Sequence, residues 1–193
     1  MKKTEMTLFI DNQVDRLDLD AALAGVSKQR RLHALSYRSE HDRRLSVAAY
    51  MLLQRALRVE YGIDEPTLFD FGINGKPSLV GHSGIFFSLS HCHEAAACAV
   101  DSSPVGVDVE SIGHYDEEIA GKVMNREEQR LIASSSDPQL TFTRLWTMKE
   151  SLLKMTGEGL TDDMPNILDI PDKPFRFQTT VFSQFVCTVC YKL

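Results

Sequence analysis

Two long amphipathic runs, one in each half of the 193-residue chain, carry their own start and stop signals and set the limits on its fold. The first, SEHDRRLSVAAYMLLQRALRVEYG, opens on Ser39 with Asp42 three residues on, a capping-box-like start. Leu45, Ala49, Leu52, Ala56 and Val59 then recur at helical spacing, and Gly62 lies just past the end. The second, DPQLTFTRLWTMKESLLKMTGEG, has Asp137 as cap, Pro138 in the first position and Gly157 as stop. Leu145, Met148, Leu152 and Met155 form its expected buried stripe, while Trp146, Glu150 and Lys154 follow four apart on another face. A chain holding two such helices among short alternating runs is expected to be α+β. Each half has one long helix and several strands, so the reading is a pseudo-twofold pair of similar halves, each a helix on a small, mainly antiparallel sheet. The join falls near Asp101 to Pro104, giving halves of residues 1–102 and 103–193.

The strands are short. FDFGINGKPSL turns at Asn74-Gly75 between two of them, and IFFSLSH and AAACAV flank a turn at Cys92 to Glu94. SSPVGVDVES supplies another, and FRFQTTVF and QFVCTVCYK end the chain. Between them, Asp116 to Lys122 reads as a helix, and Asn125 with Glu128 reads as a further N-cap. Cys187 and Cys190 form a Cys-x-x-Cys without a second pair, and strand alternation puts them on opposite faces, which argues against a zinc or redox site. Four free thiols fit a reducing cytoplasm. Met6 to Ile10 is too short an apolar run for an export signal, and no stretch is long enough to span a bilayer. The net charge of −6 argues against a nucleic-acid partner. The basic residues that do cluster are Lys28, Arg30 and Arg31, then Arg38, Arg43 and Arg44. A solvated helix face is the simplest account of them. Arg43 and Arg44 fall in a first helical turn, where cations are unfavourable unless an anion lies near.

The chemistry starts at PVGVDVES. Asp108 and Glu110 project from one face of a strand whose valines should be buried. Two neighbouring acids there repel one another and lose solvation. Either an arginine or lysine pairs with them, or a divalent cation does, or the outer face of an edge strand meets water. Asp-x-Glu offers hard oxygen ligands, which favour Mg²⁺ and its phosphate substrates. Glu150 can supply a third carboxylate, with Lys154 one turn on; a Glu/Lys pair at that spacing is also an ordinary helix ion pair. Ser90 and His91 are adjacent on a strand and point to opposite faces, so they do not form a nucleophile–base pair.

Taken together these stretches resemble the 4′-phosphopantetheinyl transferases. Gly106-Val107-Asp108-Val109-Glu110 matches that family's G-(I/V)-D-(I/V)-E signature, and Trp146 to Lys154 matches W-x-x-K-E-S-x-x-K. Asn74 to Pro77, Phe87 to His91 and the Arg43-Arg44 helix start also fit, in order, with Ser88 standing where the family more usually has Asn. Length and two-part organisation are similar to the surfactin-type (Sfp-type) monomers. The resemblance implies transfer of 4′-phosphopantetheine from coenzyme A to a serine of an apo acyl or peptidyl carrier protein, with Mg²⁺ and with adenosine 3′,5′-bisphosphate as the other product. It assigns Mg²⁺ to Asp108, Glu110 and Glu150. Glu150 would take the serine's proton, and Lys154 would stabilise the leaving phosphate oxygen. Arg44, Lys76, Ser90 and His91 would hold the phosphates of coenzyme A, with Arg43 contributing less. A local patch at Lys122, Met124 and Arg126 would meet the carrier. The competing readings are a non-catalytic module that binds coenzyme A or a carrier, and a Mg²⁺-dependent pyrophosphate hydrolase.

Overall fold

The computed structural model describes residues 5–72, 74–113, 115–159, 161, 163–171 and 174–193. In chain order the elements are β1 (Thr7–Asp11), a 3₁₀ turn (Val14–Arg16), α1 (Leu19–Gly25), α2 (Lys28–Leu35), α3 (Glu40–Tyr61), β2 (Phe69–Phe71), β3 (Pro77–Leu79), β4 (Phe86–His91), β5 (Ala96–Asp101) and β6 (Val105–Ser111). There follow α4 (Glu117–Val123), α5 (Arg126–Ser134), α6 (Pro138–Thr156), a second 3₁₀ turn (Met164–Asn166), β7 (Phe175–Val181) and β8 (Phe185–Lys192). The fold is α+β. There are two three-stranded antiparallel sheets, ordered β1-β5-β4 and β6-β8-β7, and a separate small β2-β3 hairpin.

The long helices begin and end where their signals stand. Ser39 accepts the Asp42 N–H at the start of α3, and Gly62 closes it in the left-handed conformation at φ 68°. Asp137 accepts the Leu140 N–H at the start of α6, and Gly157 ends it at φ 77°. Helix α3 lays Leu45, Ala49, Leu52, Leu53 and Ala56 on Phe87, Ala96, Cys98 and Val100 of the first sheet. The other face of β5, Ala97 and Ala99, joins the β6 valines and Cys187 and Val189 of β8 in a second core. Cys190 lies in a separate cluster with Met155 and Phe175, so the two cysteines do sit on opposite faces. Val59 is exposed, which shortens the expected α3 stripe at its end. Helices α1 and α2, unmarked by strong periodicity, fill residues 19–35 under Ser27 and Asp18 caps.

The packing of α6 differs from its apolar pattern. Leu145 and Met148 are only half-buried, whereas Thr143, Thr147 and Ser151 are buried along with Leu152, Leu153 and Met155. Small polar residues suit this face because the helix backbone comes very close to β6. A Cβ on Gly106 would lie 2.0 Å from the Ser151 carbonyl oxygen and 2.4 Å from the Met155 nitrogen. Thr147 meets its hydroxyl requirement from the Arg144 carbonyl and from Thr188 of β8, at 2.8 Å. The glycine of the β6 signature is therefore a packing requirement that holds α6, and what it carries, against the strand. Met124 is 1% exposed and cannot offer a carrier contact; it belongs to a cluster with Ala120 and Ile132.

Candidate active site

Strand β6 turns its valines into the core, each 0% exposed, and its acids the other way. Asp108 is 2% exposed, and its Oδ1 receives two donors: Lys154 Nζ of α6 at 2.6 Å and Ser90 Oγ of β4 at 3.0 Å. Lys154 Nζ also donates to Ser90 Oγ at 2.9 Å. The expected i,i+4 pairing of Lys154 with Glu150 gives way to this cross-element contact. The second oxygen, Asp108 Oδ2, is buried without a hydrogen-bond partner among the described residues. Glu110 Oε1 accepts from Trp146 Nε1 at 3.3 Å. Burial first, and the Asp108 charge second, push the Glu110 carboxyl up to about 7. The same two causes raise Glu150 above the ordinary carboxylate range. Among the described residues no three His, Cys, Asp or Glu side chains converge into a metal-ion cluster. What the structure does gather is an acid group with one ammonium on it.

Two hollows meet at Lys154. One, of about 540 Å³, is lined by Arg30, His33, Tyr37, Ser90, His91 and Lys154, with Tyr50, Phe69 and Leu89 among its walls. The other, of about 330 Å³, is lined by Asn74, Lys76, Phe87, Leu153, Glu150 and Lys154. The first is cationic. Arg30 leaves its basic neighbours and turns inward to donate to the Ser46 carbonyl and hydroxyl, with its guanidinium 5.8 Å from the Tyr50 ring centre. Its Nε is buried and has no hydrogen-bond partner among the described residues. Burial, and then the charges of Arg30 and Lys154, hold His91 below the usual imidazole range, so at neutral pH it is an uncharged ring. Tyr37 packs edge-on against His91 and against His33, and its carbonyl accepts from Arg43 Nε.

Not all expected phosphate ligands come together. Ser90, His91 and Lys154 share the first hollow. Lys76 does not line it: its Nζ donates to the Met155 carbonyl at 2.8 Å, a cation on the C-terminal end of α6, as Asn74 does to the Gly157 carbonyl. Arg44 is further removed, with Nε on the Leu17 carbonyl and its guanidinium on Glu40 at 2.6 Å, lining a separate hollow with Asp18 and Asp20. Arg30, His33 and Tyr37, none of them expected at the site, line the first hollow in which Lys76 and Arg44 are absent. The basic run at Lys28 to Arg31 was the only signal for Arg30, and a single inward-facing arginine on an exposed helix has no pattern of its own.

Lys149, between Met148 and Glu150, is 0% exposed. Its three N–H groups reach Glu128 Oε2 at 2.9 Å and the Met164 and Pro165 carbonyls at 2.8 and 2.9 Å. Glu128 also closes the α5 capping box through the Asn125 N–H. The expected capping role of Glu128 is thus joined by a buried ion pair that ties α5 to α6 beside Glu150.

Comparison with known proteins points to one family. The family model of the 4′-phosphopantetheinyl transferase superfamily matches residues 104–190, which hold both signatures. A 4′-phosphopantetheinyl transferase of Bacillus subtilis is 30% identical, over 80% of this chain and 70% of its own. The 4′-phosphopantetheinyl transferase HetI of Nostoc sp. is 33% identical over 74% of this chain and 64% of its own. The L-aminoadipate-semialdehyde dehydrogenase-phosphopantetheinyl transferase of Saccharomyces cerevisiae is 24% identical over 93% of this chain and 76% of its own.

Proposed function

The chain belongs to the 4′-phosphopantetheinyl transferase superfamily, as a transferase similar to the surfactin-type members, and from that premise we propose that it moves 4′-phosphopantetheine from coenzyme A to a serine hydroxyl of an apo carrier protein, with Mg²⁺. The observation that carries this reading is the meeting of two hollows at Lys154, over the acids of β6 and α6, one with Arg30 and His91 in its wall and the other with Phe87, Leu89 and Leu153. The first suits the nucleotide phosphates and the apolar wall of the second suits the pantetheine arm.

The residues present fit a divalent cation. Asp108, Glu110 and Glu150 are hard oxygen donors. Once all three are ionised, as metal binding requires, they exceed the one ammonium by two negative charges, and among the described residues Asp108 Oδ2 has no hydrogen-bond partner. Asp108, Glu110 and Glu150 would hold Mg²⁺. The chemistry that a bound Mg²⁺ supplies there is neutralisation of the pyrophosphate and polarisation of the phosphorus under attack. Arg30 and His91 would bind and orient the phosphates at the nucleotide end; Arg44 would first have to leave Glu40 to join them. Glu150, held above the carboxylate range and lining the second hollow, would accept the serine proton. As the serine oxygen bonds to phosphorus, the phosphoanhydride bond breaks, and Lys154 stabilises the departing phosphate oxygen of adenosine 3′,5′-bisphosphate. The two halves, residues 1–102 and 103–193, would each supply part of this site, and the enzyme would act in the cytoplasm as a monomer.

The test is mass spectrometry on a panel of apo carriers with coenzyme A. One phosphopantetheine should be added by the wild type, and almost none by Asp108→Ala or Glu150→Ala with folding intact. Wild-type rates in both variants would remove the acids from the mechanism.

A further inference from the structure

Strands β4 and β6 are not paired through their backbones, yet they lie side by side. Ser88 Oγ accepts the Val107 N–H at 3.0 Å, and Ser90 Oγ accepts the Val109 N–H at 3.3 Å. The two serine hydroxyls thus satisfy buried edge donors of β6 that would otherwise be orphaned, and they join the sheets. Among the described hydrogen bonds, none links Ser88 to Asp108. Ser90 does more: it accepts from Val109 and from Lys154, and it donates its only proton to Asp108 Oδ1.

A hydroxyl has one donor and two acceptor sites. Those of Ser90 are all taken, and the residue is only 8% exposed. A phosphate ligand must donate to the phosphate, and Ser90 has no proton left to give. We propose that Ser90 is a positioning residue for Asp108 and not a phosphate ligand: with Lys154 it saturates Oδ1 and leaves Oδ2 as the one free oxygen for a divalent cation. Because Ser90 sits on β4 next to His91 while Asp108 sits on β6, this contact also sets the distance between the nucleotide side and the acid side of the site. The inference rests on the Mg²⁺-dependent reading above.

The experiment compares full-length wild type, Ser90→Ala and Ser88→Ala. Both variants lose one β6 acceptor, so both should lower the melting temperature, Ser90→Ala by more because it also loses its bond to the buried Asp108. Mn²⁺ binding, read by the loss of free-ion electron paramagnetic resonance signal, separates them. Removing a hydrogen bond to a charged group should weaken Mn²⁺ binding by ~10-fold or more in Ser90→Ala, against less than ~3-fold in Ser88→Ala. Coenzyme A affinity in EDTA, read by calorimetry, should stay within ~3-fold of wild type in Ser90→Ala, because only a direct ligand is expected to cost more. Wild-type Mn²⁺ affinity in Ser90→Ala, with coenzyme A affinity lost, would overturn the proposal and make Ser90 a phosphate ligand. Equal loss of Mn²⁺ affinity in both variants would reduce the role to sheet joining. Failure of the wild type itself to bind Mn²⁺ would instead remove the metal reading on which the proposal stands.

Discussion

Replacing Gly106 by alanine should damage stability and chemistry together. The added Cβ would lie 2.0 Å from the Ser151 carbonyl oxygen, 2.4 Å from the Met155 nitrogen and 3.0 Å from the Lys154 carbonyl carbon. All three are backbone atoms inside α6, so no side chain can rotate away. Carbon contacts are ordinarily ~3.5 Å, so α6 must retreat from β6 by more than about 1 Å. Overpacking of a core costs ~1–3 kcal/mol, and a rigid helix backbone puts this site at the upper end, ~3 kcal/mol. For a chain of this size that lowers Tm by ~6–12 °C. The retreat carries Glu150 and Lys154 away from Asp108, and a misplacement of ~1 Å costs ~10²-fold in rate. Urea unfolding and timed mass spectrometry of an apo carrier measure the two effects on one preparation. Gly113→Ala is the control: nothing lies within 4 Å of its Cβ. If Gly106→Ala unfolds within ~1 kcal/mol of wild type and transfers at a similar rate, the close approach of α6 to β6 is not as described.

Three other outcomes follow from the same geometry. Lys149→Met should cost ~3–5 kcal/mol in urea unfolding, because it leaves Glu128 buried and unpaired, and Glu128→Gln with Lys149→Met should recover part of that. Trp146 is the only tryptophan and it donates to Glu110, so Mg²⁺ with coenzyme A should change its fluorescence; an unchanged spectrum at saturation would contradict the placement of Glu110 at the metal. In EDTA, Glu110 keeps its proton in the folded state up to about 7 against 4.5 ordinarily, so folded protein binds more protons across that window. Stability in EDTA should therefore fall as pH rises through that window and level above it; Mg²⁺ should stabilise more at pH above 7 than below, and Glu110→Gln should flatten the slope.

Much of this was legible in the residues. Caps and stops located α3 and α6 because Ser39, Gly62, Asp137 and Gly157 act locally. Strand alternation put Asp108 and Glu110 on one face because the period of a strand is two. What escaped depends on contacts made across the chain. The polar buried face of α6 follows from a glycine on another strand, which no helical periodicity can report. Arg30 reads as surface because its inward partners, Ser46 and Tyr50, lie on α3. Arg44 looked like an anion ligand from its place in a first turn, yet Glu40, one turn before it, already answers its charge. The pairing of Lys154 with Asp108, not with Glu150, needed β6 and α6 to be set side by side by Gly106.

The central claim is that this site hands a phosphopantetheine group to a carrier serine and not to water. Release of adenosine 3′,5′-bisphosphate from coenzyme A, measured with and without an apo carrier and in Mg²⁺ or EDTA, tests it most directly. Release is expected only when Mg²⁺ and carrier are both present, matched one to one by phosphopantetheine on the carrier. Release in Mg²⁺ alone, with no modified carrier, would contradict it and make the site a hydrolase.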